Sequence, residues 1–258
     1  MNAATLAPVA SSRFRYVLRL ADTNLILAQR LGEWIGHAPA LEEDLGLANI
    51  ALDLMGQARL LLTYAGEIEG KGRTEDTLAF LREDGDFLNA TLVEQPNGDF
   101  GQTIVRQFLI DAWQLEVYER LEKSSDERLA QIAAKAVKET RYHLRYSSNW
   151  VIRLGDGTQE SHQRVQTALE VLWPYTAELF EADALDSEMF NAQIAPDLQA
   201  VRQSWNATVN DMLAEAMLER PDDKPFPWRG KQGNHSEHFG RMLAEMQHMQ
   251  RTYPGAQW

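Results

Sequence analysis

Not one of the 258 residues is a cysteine. Disulfides, thiolate metal ligands and thiol nucleophiles are thereby excluded, and the composition suits a cytoplasmic protein. Long apolar runs are missing too: no stretch approaches the roughly 18 uninterrupted apolar residues of a membrane span. Met1 to Ser12 has no basic start and only a short apolar run, unlike a secretory signal. These residues, 1–12, read as a disordered tail ahead of a single folded domain, 13–258. Positive charge is scarce: 25 Lys and Arg face 38 Asp and Glu, for a net charge of −13. Such a surface repels nucleic acid and anionic lipid, so neither is expected as a partner, and it disfavours an independent polyphosphate site. No useful length of chain alternates with period two, which excludes a substantial sheet. No Gly-rich phosphate loop, nucleophile elbow or His-Glu-x-x-His occurs.

What the sequence does hold is helical periodicity. Hydrophobic residues make up 44% of the chain and charged residues 24%, ordinary for a globular core. Val17, Leu20, Ala21, Leu27, Ala28, Leu31 and Ile35 mark one face of a first helix that Pro39 closes. A second helix is expected from Leu41 to about Thr63, broken by Gly66, Gly70 and Gly72, and a short third from Thr74 to about Arg82. Asp84 to Gly101 reads as a long irregular stretch, a length that is often functional. A fourth helix carries Ile104, Phe108, Leu115 and Tyr118. Ser124 and Glu127 have the spacing of a capping box for a fifth, whose seam runs Leu129, Ala133, Ala136, Thr140, His143, Ser147 and Trp150. Further helices are expected from Thr158 to a break at Pro174, from Pro196, and after a second capping pair at Asn234 and Glu237. Two long helices early and two more in the middle match a four-helix bundle of two hairpins with additional C-terminal helices, an all-α, ferritin-like plan.

Bundles of this plan can hold two metal ions, each half supplying a carboxylate from one helix and Glu-x-x-His from the next. Asp111 precedes Thr140 by 29 positions and His143 by 32; Asn24 precedes Asp53 and Gly56 by the same 29 and 32. The two halves therefore agree in spacing but not in chemistry. Only Asp53, Asp111 and His143 ligate well; Asn24 and Thr140 are weak neutral donors and Gly56 has no side chain, too few ligands and too little charge for two divalent cations. The alternative is an internal polar network, with Asp111 accepting from His143 and Asp53 pairing with Arg59, Arg19 or Asn24. Elsewhere, His235 and His238 have the spacing of a ligand pair but no nearby acid in sequence. The stripe Phe239, Met242, Met246, Met249 and Tyr253 suits a core or a partner-helix surface. Seven tryptophans, among them Trp228 and Trp258, fit large interfaces as well as a core.

Longer motifs carry a family resemblance. Leu-Gly-Glu-Trp-Ile-Gly-His-Ala-Pro (31–39), Leu-Ala-Asn-Ile-Ala-Leu-Asp-Leu-Met-Gly-Gln-Ala-Arg (47–59), Glu-Asp-Thr-Leu-Ala-Phe (75–80), Val-Glu-Gln-Pro-Asn-Gly (93–98), Lys-Glu-Thr-Arg-Tyr-His-Leu-Arg (138–145), His-Ser-Glu-His-Phe-Gly (235–240) and Leu-Ala-Glu-Met-Gln (243–247) resemble the C subunits of the bacterial phenylacetyl-CoA epoxidases. The resemblance covers nearly the whole chain. It implies a ferritin-like fold and membership of a multicomponent monooxygenase of aerobic phenylacetate degradation, dependent on O2 and NADPH. In that family a homologous catalytic A subunit holds the di-iron centre and epoxidises the ring of phenylacetyl-CoA. Electrons come from a flavin and iron–sulfur reductase. The C subunit is implied to hold no cofactor, to perform no catalysis, and to pair with and stabilise its catalytic homologue within a hetero-oligomer. The resemblance also implies that the chain borders the CoA end of the substrate, and Asp86, Phe87, Leu88 and Asn89 are the candidates for that contact. The competing reading is a self-contained ferritin-like metal-dependent oxidase with an unusual site.

Overall fold

The computed structural model describes residues 3–227 and 229–256. Met1 and Asn2 of the expected tail lie outside the described residues, as do Trp228 and Trp258. Every regular element among the described residues is helical, as the missing period-two pattern requires. The fold is all-α and ferritin-like, as expected. The α-helices are α1 (Ala3–Trp34), α2 (Leu41–Glu69), α3 (Glu75–Phe80), α4 (Phe100–Leu121), α5 (Glu127–Gly155), α6 (Gln159–Leu172), α7 (Ala184–Asn191), α8 (Leu198–Glu215) and α9 (Phe239–Thr252). The backbone is helical from Ala3, where the sequence reading places a tail over 1–12. The chain groups into two compact units, one of residues 1–33, 48–95 and 228–258, the other of 34–47 and 96–227.

In the first unit, α1 buries Leu20, Ala21, Leu27 and Leu31, while α2 buries Leu54, Ala58, Leu61 and Ala65. The α1 set belongs to the 3.6-period face read from the sequence. Gly66 does not end α2: a Cβ there would collide with the carbonyl oxygen of Arg73. The glycine lets the returning chain pass against the helix, and the stop comes at Gly70, in the left-handed region at φ 67°. The expected irregular stretch is also more ordered than read. It forms two 3-10 turns, Asp84–Asp86 and Thr91–Glu94, and the second is wholly buried. Buried Arg82 anchors this stretch to α1 through a two-point ion pair with the buried Asp22 carboxylate. Asp22 also accepts from the Leu88 backbone N–H at 2.9 Å. Gln247 of α9 donates to the carbonyls of Ala79 and Arg82 at 3.3 and 2.9 Å, seating α9 on α3. The α9 stripe is divided: Phe239 and Met242 are core, Met249 and Tyr253 are exposed.

In the second unit, α4 is enclosed by α5, α6 and α8, and every residue from Thr103 to Gln114 is buried. Trp205 of α8 donates its indole N–H to the Leu109 carbonyl at 3.0 Å. Helix α5 starts later than the Ser124 capping box predicts. Its cap is Asp126, which accepts from Leu129 N–H at 3.1 Å; Ser124 instead donates to the Ile194 carbonyl at 2.8 Å. Thr158 caps α6 as read, and the helix ends at Leu172 just ahead of Pro174. Pro196 stands before the true cap, Asp197. Helix α9 has no side-chain cap, so Asn234 and Glu237 do not act as read.

Candidate functional site

The six positions of the expected bundle site divide between the two units, three in each. In the second unit, Asp111, Thr140 and His143 are all completely buried, on α4 and α5. Asp111 does not accept from His143. Its carboxylate takes Gln107 Nε2 at 2.6 Å and Ser147 Oγ–H at 2.7 Å. Helix geometry accounts for the substitution: Ser147 lies one turn beyond His143 on α5, and Gln107 one turn before Asp111 on α4. Burial pushes the Asp111 carboxyl well above the usual carboxylate range, against the opposing pull of the Ser147 and Gln107 hydrogen bonds. Thr140 Oγ1, also buried, has no hydrogen-bond partner among the described residues. The carboxyl is thus committed to two neutral donors.

In the first unit, Asn24 is fully buried and donates Nδ2 to Gln57 Oε1 at 3.3 Å. Gln57, 1% exposed, is the inward polar residue of α2. Asp53 and Gly56, at the expected ligand positions, are only half-buried. The equal spacing therefore selects the right helix, with Asp53 at the edge of the buried line and Gly56 off it. Arg59 pairs with Glu75 at 3.4 Å, not with Asp53. Nor do the donors fit a dinuclear centre: each half pairs its buried polar residue with an amide or hydroxyl. Among the described residues, no three His, Asp or Glu side chains gather closely enough to share a cation.

The sequence reading missed Gln57 and Gln107 and gave Ser147 only a place on the seam. The available signal was polarity on an otherwise apolar face, one turn from Asp53, Asp111 and His143.

The four residues proposed at the CoA border differ in access. Asp86 is exposed, whereas Phe87, Leu88 and Asn89 are buried inside the first unit. The Phe87 ring lies under the Arg82 guanidinium at 4.0 Å and edge-on to Phe239 at 5.6 Å. Asn89 Nδ2 donates to Glu94 Oε1 at 2.9 Å. Three of the four are therefore core residues rather than a ligand-facing loop. His235 belongs to the same core. One ring nitrogen is 2.6 Å from Glu94 Oε1, the other 3.0 Å from the Phe87 carbonyl, and the ring stacks on Phe239 at 4.0 Å. Buried Glu94 also accepts from Ser236 N–H at 2.8 Å, so the acid absent from the local sequence is supplied from 141 residues away. His238 is partly exposed, 4.0 Å from Glu237.

The model of the phenylacetic acid catabolic protein family matches residues 3–258. The chain belongs to that family. A curated relative, the C subunit of the 1,2-phenylacetyl-CoA epoxidase of Escherichia coli (strain K12), is 54% identical over 243 residues, covering 94% of this chain and 98% of the relative. The match to the family takes in both units, so the buried polar positions of each lie within it.

Proposed function

We propose that this chain is the non-catalytic subunit of a multicomponent oxygenase that epoxidises the ring of phenylacetyl-CoA. It pairs with a homologous catalytic subunit and stabilises it, and it contributes no metal or cofactor of its own. The name of the Escherichia coli relative supports the assignment to such a complex. The donor set at the six bundle positions supports the lack of catalysis.

The observation that carries the pairing is the outer side of α2. Leu41, Leu45, Leu52 and Met55 are 70, 56, 69 and 41% exposed, with half-buried Ala48 between them. Their spacing, four then three residues repeating, is that of a helix-packing seam, and it extends for about 21 Å at 1.5 Å per residue. They are four of the twelve large apolar side chains exposed among the described residues. Helix α2 is long and apolar enough by length and composition to cross a membrane, yet much of its apolar stretch is buried within the protein. A helix apolar on both its core and outer sides is expected when both are covered. A homologous bundle offering a similar helix suits the heptad spacing better than lipid does, because acidic Glu42 and exposed Asn49 flank the stripe.

The test is co-expression with the catalytic homologue. The parent chain should co-purify with it as a stable complex, and Leu45→Glu/Leu52→Glu should leave the isolated chain folded while abolishing co-purification. Undiminished co-purification of this variant would remove α2 from the interface. Near-stoichiometric iron or manganese in the chain purified alone would overturn the non-catalytic reading.

A further inference from the structure

A groove of about 310 Å³ opens on the first unit between α2 and α3. Its floor is apolar: Leu25 of α1 and Ala58 and Leu62 of α2 are buried beneath it. Its walls reach solvent. Met55, 41% exposed, forms one, and half-buried Phe80 forms the other. On the rim, Arg59 pairs with Glu75 at 3.4 Å. Asp76, on the same rim, is exposed and has no ion-pair partner among the described residues.

The groove continues the outer side of α2. The four-then-three spacing of Leu41, Leu45, Ala48, Leu52 and Met55 runs on to Arg59 and Leu62. Met55, Arg59 and Leu62 all line the groove. The exposed line therefore turns inward at its C-terminal end, from Leu52 at 69% exposed to Leu62 at 2%. A helix laid along this line, knobs into holes, arrives at the groove with one side chain directed into it.

Size and chemistry select that side chain. A cavity of roughly 150 Å³ admits a benzene-sized group, so this groove has room for a phenol or an indole. A thioether and an aromatic ring both favour contact with another ring, and Met55 and Phe80 supply them. The unpaired Asp76 carboxylate favours a cation beside that ring. We propose that the groove anchors the catalytic partner, receiving from its facing helix one aromatic side chain with a lysine or arginine within a turn of it. The identity of the partner rests on the function proposed above. A second copy of this chain fits less well. The large exposed side chains of α2 are leucines and one methionine, so a copy pairing through the same helix brings no ring to the groove. An underfilled groove forfeits the contacts that make such a pocket a binding hot spot.

The experiment uses the full chain and its catalytic homologue, with affinity read by biolayer interferometry. Met55→Trp, which fills the groove from its own wall, should weaken binding about thirtyfold. Asp76→Lys should weaken it about tenfold at low salt, with the difference shrinking at high salt. Both positions are exposed, and circular dichroism checks that each variant folds. p-Benzoylphenylalanine in place of Arg59 should crosslink to a peptide of the homologue that carries an aromatic residue and a nearby lysine or arginine. Parent affinity in either variant, or a crosslinked peptide without an aromatic residue, would overturn the proposal. Self-association of the chain as tight as its hetero-complex would overturn it too, by assigning the groove to a second copy. A complex lost in Leu45→Glu/Leu52→Glu but intact in Met55→Trp and Asp76→Lys removes the groove and keeps α2 in the interface. No complex with the parent chain overturns the pairing itself, and the anchor with it.

Discussion

Replacing Asp111 separates a buried charge from a buried hydrogen-bond acceptor. The parent carboxyl is fully buried and satisfied by two neutral donors, and its pKa is raised by burial. An acid with a raised folded pKa favours the folded state only while it is protonated. Its stabilising contribution is full below the unfolded carboxyl value of about 3.9 and declines as pH rises to the folded value, by about 1.4 kcal/mol for each pH unit of that window. Asp111→Asn keeps an oxygen for Ser147 and presents an amide to Gln107, whose own Oε1 has no partner. At pH 8 this variant should be as stable as the parent or more so, and the parent should lose stability relative to it as pH rises from 5 to 8. Asp111→Ala behaves differently. Ser147 can fall back on the His143 carbonyl at 3.0 Å, but Gln107 Nε2 loses its acceptor, at a cost of about 1–3 kcal/mol. The small void adds about 1 kcal/mol. Urea unfolding followed by tryptophan fluorescence at pH 5, 6.5 and 8 measures all three proteins. An Asp111→Asn variant as unstable as Asp111→Ala at pH 8, or a parent that gains on Asp111→Asn with rising pH, would refute the reasoning.

Two further predictions concern local structure. Gly56, inside α2, would meet nothing within 4 Å with an added Cβ, so Gly56→Ala should stabilise the isolated chain by about 0.5–1 kcal/mol; Gly66→Ala in the same helix should destabilise it by more than about 2 kcal/mol through collision with the Arg73 carbonyl, and equal effects in thermal unfolding would contradict this account. Tyr146 donates to Glu43 Oε2 at 2.6 Å, and burial, then that hydrogen bond, pushes its phenol above the ordinary tyrosine range; stability should therefore fall as pH rises beyond about 10, where the unfolded phenol ionises, and spectrophotometric titration should lose no early-ionising tyrosine in Tyr146→Phe.

The helices were legible because a 3.6-residue period records directly which side of a segment avoids water. That period located α1, α4 and α5 and placed Asn24, Asp111, Thr140 and His143 on buried lines. The capping residues Ser124, Asn234 and Glu237 were misread because serine, asparagine and glutamate bond equally well to distant backbone, as Ser124 does to Ile194. The short α7 was missed because eight residues carry barely two turns of pattern.

By itself, the sequence determined an all-helical chain and its family, since these depend on residue identity and local periodicity. Tertiary structure alone decided which polar atoms meet. A rotation of about 100° separates half-buried Gly56 from buried Gln57, and one of about 40° leaves Asp53 at the half-buried edge of the same line. It is the folding of distant segments onto one another that gives Glu94 to His235 and encloses Phe87, Leu88 and Asn89. Hydrogen bonds and burial are set by that three-dimensional neighbourhood, which spacing along a helix does not encode.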